Sequence, residues 1–539
     1  MRISLVLVTF LGLANAFISP RSLLARRCSL ESALQVVSNA VEISTTKEEL
    51  FVQWMTSDSL TEIPHPGNKL KVIGSIPSYV KGSYIKNGPG AFSTADGSRR
   101  YTHAFDGLAK LQKFDIDNGN QVTFTTRFID SRLKQAMLSA ENPRMPAHLS
   151  VGPVEPPFPL QDVLFNTLFN TLSYDNTCVN VEELSSSGIF CAVTDAAIRN
   201  EIDLATLETV RRIPDAKIEG TFGVTQISTA HGKVSKRNGL TYNYFLETGL
   251  QSWAHIVRTN NDLTQTSIGK VLIEDNPSYV HEISVTDNHV ILCQHPVFLD
   301  LGKTLTKGAI LPNLEFDPSV NTRIHIFDLN GEKPIQTFEA PPCWAYHHVN
   351  AYEDGSNVIL DIIAYTDAAN SNGPHAYLYM ENMKTEENRM KQTMEGTLWR
   401  FAMDLESDSR KVEPEKNIVH NEETNLPTVM ELICVSPECL GKPYRYVYGF
   451  TGFYKGKPGY IDWALVKQDV AQNERHGVWH EEFSYPGEPT FVRNPEGTNE
   501  DDGVLLSTVY DSQRRENFLL VLDATNMKEI ARAYTGIGL

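Results

Sequence analysis

The sequence contains a repeated pattern in which a strand of alternating polarity runs into an Asp-containing turn and a second strand follows. Copies recur about every 55–85 residues, which is the repeat length of four-stranded sheets arranged radially. The pattern therefore predicts an all-β, seven-bladed β-propeller, and not the three or four domains that a chain of 539 residues suggests by length alone. The copies lie at Phe114–Gly119, Glu201–Leu204, Thr259–Leu263, Ile326–Gly331, Ala402–Leu405, Val466–Asp469 and Val521–Ala524.

Charge and cysteine content exclude several classes of protein. The formal net charge of −18 argues against nucleic acid as a partner, because neutralising phosphates requires a basic surface. Seven scattered cysteines without a Cys-x-x-Cys pair do not form a disulfide framework, so we expect reduced thiols in the core.

The N-terminus has the composition of a two-part targeting sequence. Residues 1–16 have a short apolar run that ends in Ala14-Asn15-Ala16, as in a signal peptide. Residues 17–30 are rich in Arg and Ser and contain no acid before Glu31, as in a transit peptide. The sequence therefore predicts import into a plastid, with secretion as the alternative. Residues 31–69 are predicted to be an N-terminal extension and residues 70–539 the propeller.

One segment departs from the strand pattern. Residues 160–172 place apolar side chains at helical spacing after a Pro-rich stretch, which predicts an amphipathic helix with one strongly apolar face. This face either packs on the propeller or contacts a membrane surface peripherally to reach a lipid-soluble substrate.

Three histidines near strand ends are candidate metal ligands. His231, His281 and His348 are 50 and 67 residues apart, about one in each of three blades. In a radial fold, residues at the inner ends of several blades converge on the axis, and neutral imidazole is the commonest metal ligand. The spacing alone is weak evidence, because the chain contains fifteen histidines.

Eight segments together form a recognisable set of motifs: Gly82–Gly90, His103–Leu108, Thr229–His231, Ser278–His281, His347–Asp354, Gly441–Gly449, Ser484–Pro489 and Glu500–Gly503. Through these segments the chain resembles the carotenoid cleavage oxygenases, a family with a retinoid isomerohydrolase branch. The resemblance runs from about residue 70 to the end.

The resemblance implies a propeller capped by helices and loops, with one Fe(II) held on its axis by four histidines. Three of the four positions match His231, His281 and His348, and His347 is taken as the neighbour of the ligand. The family's acidic residues that accept the outer ring N–H of the ligands match Glu488, match Glu431 with a shift of one residue, and match Asp195, where the family usually has Glu. The alternative interpretation of each of these three acids is a surface carboxylate that has no role at the metal site.

The fourth histidine of the family lies beyond the last residue of this sequence. His103, His289, His295 and His480 do not occupy an equivalent place, so we expect a chain that lacks its final segment. The alternative is a three-histidine protein with weakened iron affinity.

The expected function is Fe(II)-dependent cleavage of a conjugated double bond in a carotenoid or apocarotenoid by O2, which gives carbonyl products. No catalytic residue is expected beyond the metal site. Two alternatives remain open: a non-catalytic, carotenoid-binding propeller, and isomerisation coupled to ester hydrolysis of a retinoid.

Overall fold

The computed structural model divides the chain into two compact units, Met1–Leu50 and Phe51–Leu539. Of the first unit it describes residues 46–50, so the predicted targeting sequence of residues 1–30 lies outside the described part. The second unit is described except for residues 118–119, 149, 170–174, 215–223, 250, 275–276, 301, 305–307, 330, 332–333, 367–379, 392–395, 418–429 and 539.

The described strands form seven antiparallel sheets, each the blade of a β-propeller, and two small two-stranded sheets. The predicted all-β, seven-bladed propeller is therefore confirmed. Blade 1 consists of Ile63–Leu70, Gly82–Ala91, Leu108–Asp117 and Gln121–Phe128. Blade 2 consists of Asn180–Glu183, Phe190–Val193, Ile198–Ile202 and Thr209–Pro214. Blade 3 consists of Val224–Ser228, Lys233–Val234, Thr241–Thr248, Ser252–Thr259 and Gln265–Ile273.

Blades 4 to 7 follow in chain order, except that one N-terminal strand joins blade 7. Blade 4 consists of Ser284–Val285, His289–Gln294, Thr322–Asp328 and Gln336–Ala340, and blade 5 consists of Trp344–Asp354, Asn357–Tyr365, Thr397–Asp404 and Glu415–Asn417. Blade 6 consists of Glu431–Cys434, Tyr446–Tyr454, Lys457–Pro458, Asp462–Asp469 and Glu474–Trp479. Blade 7 consists of Val72–Gly74, Ser484–Pro486, Thr490–Arg493, Gly503–Asp511, Glu516–Asp523 and Glu529–Tyr534. The small sheets pair Arg100–Tyr101 with Val154–Glu155 and Val297–Leu299 with Leu314–Phe316.

Helical segments are short. They include the α-helices Lys47–Met55, Arg132–Met137, Leu160–Phe169 and Glu386–Lys391 and the 3-10 turns Ala104–Asp106, Leu311–Asn313 and Met380–Met383. No helix in the described part of the chain is long and apolar enough to cross a membrane.

The predicted helix at residues 160–172 is present as Leu160–Phe169, and residues 170–172 lie outside the described part. Val163 is buried, whereas Leu160 and Phe165 are 44% and 55% exposed. Part of its apolar surface therefore faces away from the propeller.

The ring is closed by pairing the two ends of the propeller. Val72–Gly74 pairs antiparallel with Glu529–Tyr534, so blade 7 contains strands from both ends of the sequence. Gly74 has φ of +88°, and a Cβ at this position would collide with the carbonyl oxygen of Ile530. Strand Ile63–Leu70 belongs to blade 1, so the sheets already begin within the segment that was predicted to be an N-terminal extension.

Central strands are apolar on both faces because each blade packs between two others. In Asn357–Tyr365, every residue after the first is buried. Its one charged residue, Asp361, accepts two hydrogen bonds from the Arg400 guanidinium, at 2.9 and 2.7 Å, and one from the Tyr444 hydroxyl at 2.6 Å. A buried carboxylate is tolerated when it is paired and hydrogen-bonded in this way, and here it links blade 5 to the segment that enters blade 6.

Candidate metal centre

Three imidazole rings from successive blades meet at one point. His231 follows the edge strand of blade 3, His281 precedes the edge strand of blade 4, and His347 lies in the edge strand of blade 5. Their ring centroids are 4.7, 5.1 and 5.3 Å apart, and one ring nitrogen of each lies within 4.8 Å of the others. The expected convergence of blade edges on a shared site is therefore present for His231 and His281.

Carboxylates fix the orientation of two of these rings. Nδ1 of His281 donates to Asp195 Oδ2 at 2.7 Å, and Nδ1 of His347 donates to Glu431 Oε2 at 2.5 Å. A carboxylate only accepts, so Nδ1 carries a proton in both rings, and Nε2 is the nitrogen that each ring can offer to a metal ion. Such outer contacts set the tautomer and increase the basicity of metal-binding histidines. Asp195 and Glu431, two of the three acids named from the resemblance, thus each contact one ring of the cluster.

A tyrosine hydroxyl also donates a hydrogen bond to each of the two carboxylates. Tyr279 donates to Asp195 Oδ2 at 3.1 Å, and Tyr365 donates to Glu431 Oε1 at 2.6 Å. Asp195 Oδ1 also accepts from the backbone N–H of Ala230 at 2.9 Å, next to His231. One carboxylate therefore holds both the His281 ring and the backbone that carries His231.

His231 supplies a ring nitrogen that has no partner among the described residues. Its Nε2 is buried and makes no hydrogen bond to any described residue. Burial, reinforced by the neighbouring His281, holds the pKa of His231 well below its ordinary value, so the ring is neutral. A buried polar atom without a partner costs about 1–3 kcal/mol, and it requires an explanation. Coordination of a metal ion by Nε2 provides one.

The electrostatics of His347 differ from those of His231. Burial disfavours the protonated ring, but the Glu431 carboxylate outweighs it and raises the pKa of His347 to about 9. Without a metal, the cluster therefore contains one ring that is protonated at neutral pH, and a bound cation would take the place of that proton.

The choice between the two adjacent histidines is corrected by the structure. His347 lies in the cluster, whereas His348 is directed elsewhere: its Nδ1 is 2.7 Å from Ser284 Oγ, and it groups with Cys293 and His295. Successive side chains of a strand point to opposite faces, so only one of the pair can reach the cluster. Both faces of this strand are largely buried, so the hydrophobic pattern did not distinguish them.

Glu488 occupies a different position from the other two acids. Its Oε2 accepts from Lys86 Nζ at 2.6 Å, and this contact joins blade 7 to blade 1. Burial opposes the charge on Lys86, but the Glu488 carboxylate outweighs it and raises the pKa of Lys86. Glu488 also acts at longer range to raise the pKa of His347. Lys86 lies in one of the motifs that carry the resemblance, but no sequence pattern predicted a role for it.

Aromatic side chains form one wall of the site. The Tyr346 ring lies edge to face with the His281 ring, at a centroid distance of 5.6 Å, and the centroids of the Trp344 and Tyr346 rings are 5.0 Å apart. Trp344 also stacks on Tyr365 at 4.2 Å. The polar ends of Tyr279 and Tyr365 are used by the carboxylates, so their ring surfaces contribute apolar area beside the histidines.

Known proteins match this chain over most of its length. Residues 57–537 match the family model RPE65, described as retinal pigment epithelial membrane protein. The β,β-carotene 15,15′-dioxygenase of Rattus norvegicus is 29% identical over 510 residues, which cover 86% of each chain.

Two solved structures share the fold. A variant of the Synechocystis apocarotenoid oxygenase has a TM-score of 0.73 at 20% identity, covering 92% of this chain and 97% of its own. A cobalt-substituted form has a TM-score of 0.72 at 20% identity, covering 91% and 96%. The expected enzyme class, a carotenoid dioxygenase, is confirmed. The chain therefore belongs to the RPE65/carotenoid oxygenase family, as its motifs predict.

Proposed function

We propose that this protein cleaves a conjugated double bond of a carotenoid or apocarotenoid with O2, using Fe(II) bound by His231, His281 and His347. The observation that carries the proposal is the set of three convergent imidazoles, two with Nδ1 fixed by a carboxylate and one with a buried, unpartnered Nε2. When bound, ferrous iron would supply a site at which dioxygen can react. An all-imidazole set leaves the ion its full charge and open positions.

The residues of the chain would perform the positioning. Asp195 and Glu431 hold Nε2 of their histidines toward the shared centre. The wall of Tyr346, Trp344 and Tyr365 would bind the polyene by its faces and exclude water from the reacting bond. The exposed apolar residues Leu160 and Phe165 support peripheral contact with a membrane, where such a substrate dissolves.

The test is oxygen-dependent product formation by the full chain. Metal-free protein loaded anaerobically with Fe(II) is mixed with β-carotene or an apocarotenoid in detergent, and products are separated by chromatography with and without O2. We expect carbonyl products only with iron and O2 together, and none from His281→Ala. His65→Ala removes an exposed histidine and serves as the control.

Three results would contradict the proposal. These are cleavage that does not require iron, iron binding without turnover of any carotenoid tested, and conversion of a retinyl ester in the absence of O2. The last would favour the isomerohydrolase activity, and the second would favour a binding protein.

A further inference from the structure

A second group of metal-binding side chains lies on the other face of the strand that carries His347. Cys293 lies in strand His289–Gln294 of blade 4, His295 directly follows that strand, and His348 lies in the edge strand of blade 5. All three are at most 5% exposed. One ligand atom of each lies within 4.8 Å of the other two. We propose that Cys293, His295 and His348 form a zinc site that is separate from the three-histidine cluster.

The backbone explains how these residues come together. Cys293 and His295 are two positions apart in extended chain, so their side chains point to the same side. His348 is adjacent to His347 in its strand and points to the opposite side from it. The strand therefore contributes one imidazole to each group. Zn–N and Zn–S bonds of about 2.0–2.3 Å place two ligands of one ion less than about 4.6 Å apart. Small side-chain rotations would be sufficient to reach this geometry.

The outer contacts of both imidazoles are those of metal ligands. Nδ1 of His295 donates to the backbone carbonyl of Cys343 at 3.0 Å, so its Nε2 carries the lone pair. Nδ1 of His348 is hydrogen-bonded to Ser284 Oγ at 2.7 Å, which leaves Nε2 of that ring directed away from the serine. Fixing one ring nitrogen by a carbonyl or hydroxyl while the other binds the ion is the usual arrangement at metal sites.

The donor set selects a different ion from that of the first cluster. A thiolate with two imidazoles suits Zn²⁺, whereas the first cluster offers only nitrogen. On binding, the Cys293 S–H bond breaks, a Zn–S bond forms, and the proton leaves to solvent, so no oxidant or reductant is required. The nearby Glu282 carboxylate accepts the backbone N–H of His348 at 2.6 Å and so holds the backbone that carries this imidazole, while its charge is paired with Lys233.

The site would link two blades behind the catalytic cluster. Cys293 and His295 belong to blade 4 and His348 to blade 5, so a bound ion would cross-link the two blades next to His347. An ion that binds the folded protein stabilises it by mass action. Its role would therefore be structural, holding the edge strand of blade 5 in the register that directs His347 to the first cluster.

Cobalt(II) is the probe, because thiolate-bound Co²⁺ gives a near-ultraviolet charge-transfer band and cobalt bound only by imidazoles does not. Metal-free, full-length protein is titrated anaerobically with CoCl2. We expect the thiolate band in the wild type and in His231→Ala, and its loss in Cys293→Ser. Cys191→Ser is the matched control, since Cys191 is equally buried but lies in blade 2, and it should keep the band.

The wild-type spectrum alone decides whether any thiolate binds the ion, even if a variant does not fold. A wild-type protein that binds Co²⁺ without the band would overturn the proposal, and so would a band that persists in Cys293→Ser. A second measurement is the melting temperature with and without ZnCl2. We expect zinc to raise it in the wild type and in Cys191→Ser but not in folded Cys293→Ser. An equal rise in all three would count against the site.

Discussion

Replacing Asp195 by Asn tests how much the cluster depends on one carboxylate. Asp195 accepts three hydrogen bonds, from His281 Nδ1 at 2.7 Å, from the Tyr279 hydroxyl at 3.1 Å and from the Ala230 N–H at 2.9 Å. An amide of the same size has one oxygen, so its NH2 group must face either the His281 N–H or the Ala230 N–H. One of the two contacts is lost whichever way the amide is oriented.

The magnitude follows from the group that is lost. A hydrogen bond to a charged acceptor contributes about 1.5–3 kcal/mol. The Asp195 side chain is 27% exposed, which favours the lower end of that range. About 1.5 kcal/mol corresponds to roughly a tenfold loss in affinity for the metal. If His281 instead moves its proton to Nε2, the lone pair is blocked and the loss is larger, up to about 100-fold.

The assay is competition between the full chain and a chelator for Fe(II) under anaerobic conditions, with the melting temperature measured in parallel. Glu208→Gln removes the same charge from an exposed position in the same blade and should leave the affinity unchanged. Asp195→Glu keeps an acceptor and should lose less affinity than Asp195→Asn. If folded Asp195→Asn binds iron within about twofold of the wild type, Asp195 does not orient His281.

Three further predictions concern stability. Gly74→Ala should lower the denaturant midpoint more than Gly355→Ala does. Both glycines have positive φ, but only at Gly74 would the added Cβ collide with backbone, that of Ile530. An equal decrease of the midpoint in the two variants would refute the close approach at the ring closure. Asp361→Asn should lower the free energy of unfolding by about 3 kcal/mol, because it leaves Arg400 without its partner. Tyr444→Phe removes one hydrogen bond to the same carboxylate and should cost about 1.5 kcal/mol. Equal losses in the two variants would contradict the pairing of Asp361 with Arg400. In metal-free protein the pKa of His347 is raised from 6.5 to about 9, so the stability that Glu431 contributes should be complete below pH 6.5 and be lost as the pH rises to 9. The difference in melting temperature between wild type and Glu431→Gln should therefore shrink between these two pH values. A difference that stays constant would exclude the ion pair between His347 and Glu431.

The sequence predicted the architecture because the turn pattern and the strand spacing are local. Asp-containing turns recur at blade spacing, and each reflects hairpin chemistry that neighbouring residues determine. His231 and His281 were predicted correctly as members of one group for a similar reason: each lies at the end of an edge strand, and blade edges converge. Pairing Ile63–Leu70 with blade 1 was not predicted, because the partner strand Gln121–Phe128 is about 60 residues away and the pairing depends on tertiary structure.

The details of the site depended on contacts that periodicity does not encode. Lys86 and Glu488 are 402 positions apart, and no local pattern indicates that one neutralises the other. The choice between His347 and His348 failed because alternation shows that neighbours differ in direction but not which neighbour faces the axis. Strand Trp344–Asp354 has register shifts on both sides of His348, so counting along an ideal ladder cannot decide it.

Alternation of side-chain direction explains how one strand can carry a ligand for each of two groups. In an edge strand with one polar face, the second imidazole would point into an apolar blade interface and remain without a partner. Here the opposite face receives Ser284, Cys293 and His295 from blade 4, so His348 is buried among groups that can hydrogen-bond or bind an ion. Cys293 and His295 thus make an adjacent His-His pair tolerable in a buried strand. We therefore expect His348→Leu to affect iron binding indirectly, through the direction of His347. If the second site holds the strand in register, the difference in iron affinity between this variant and the wild type should be larger when zinc is supplied than when zinc is absent.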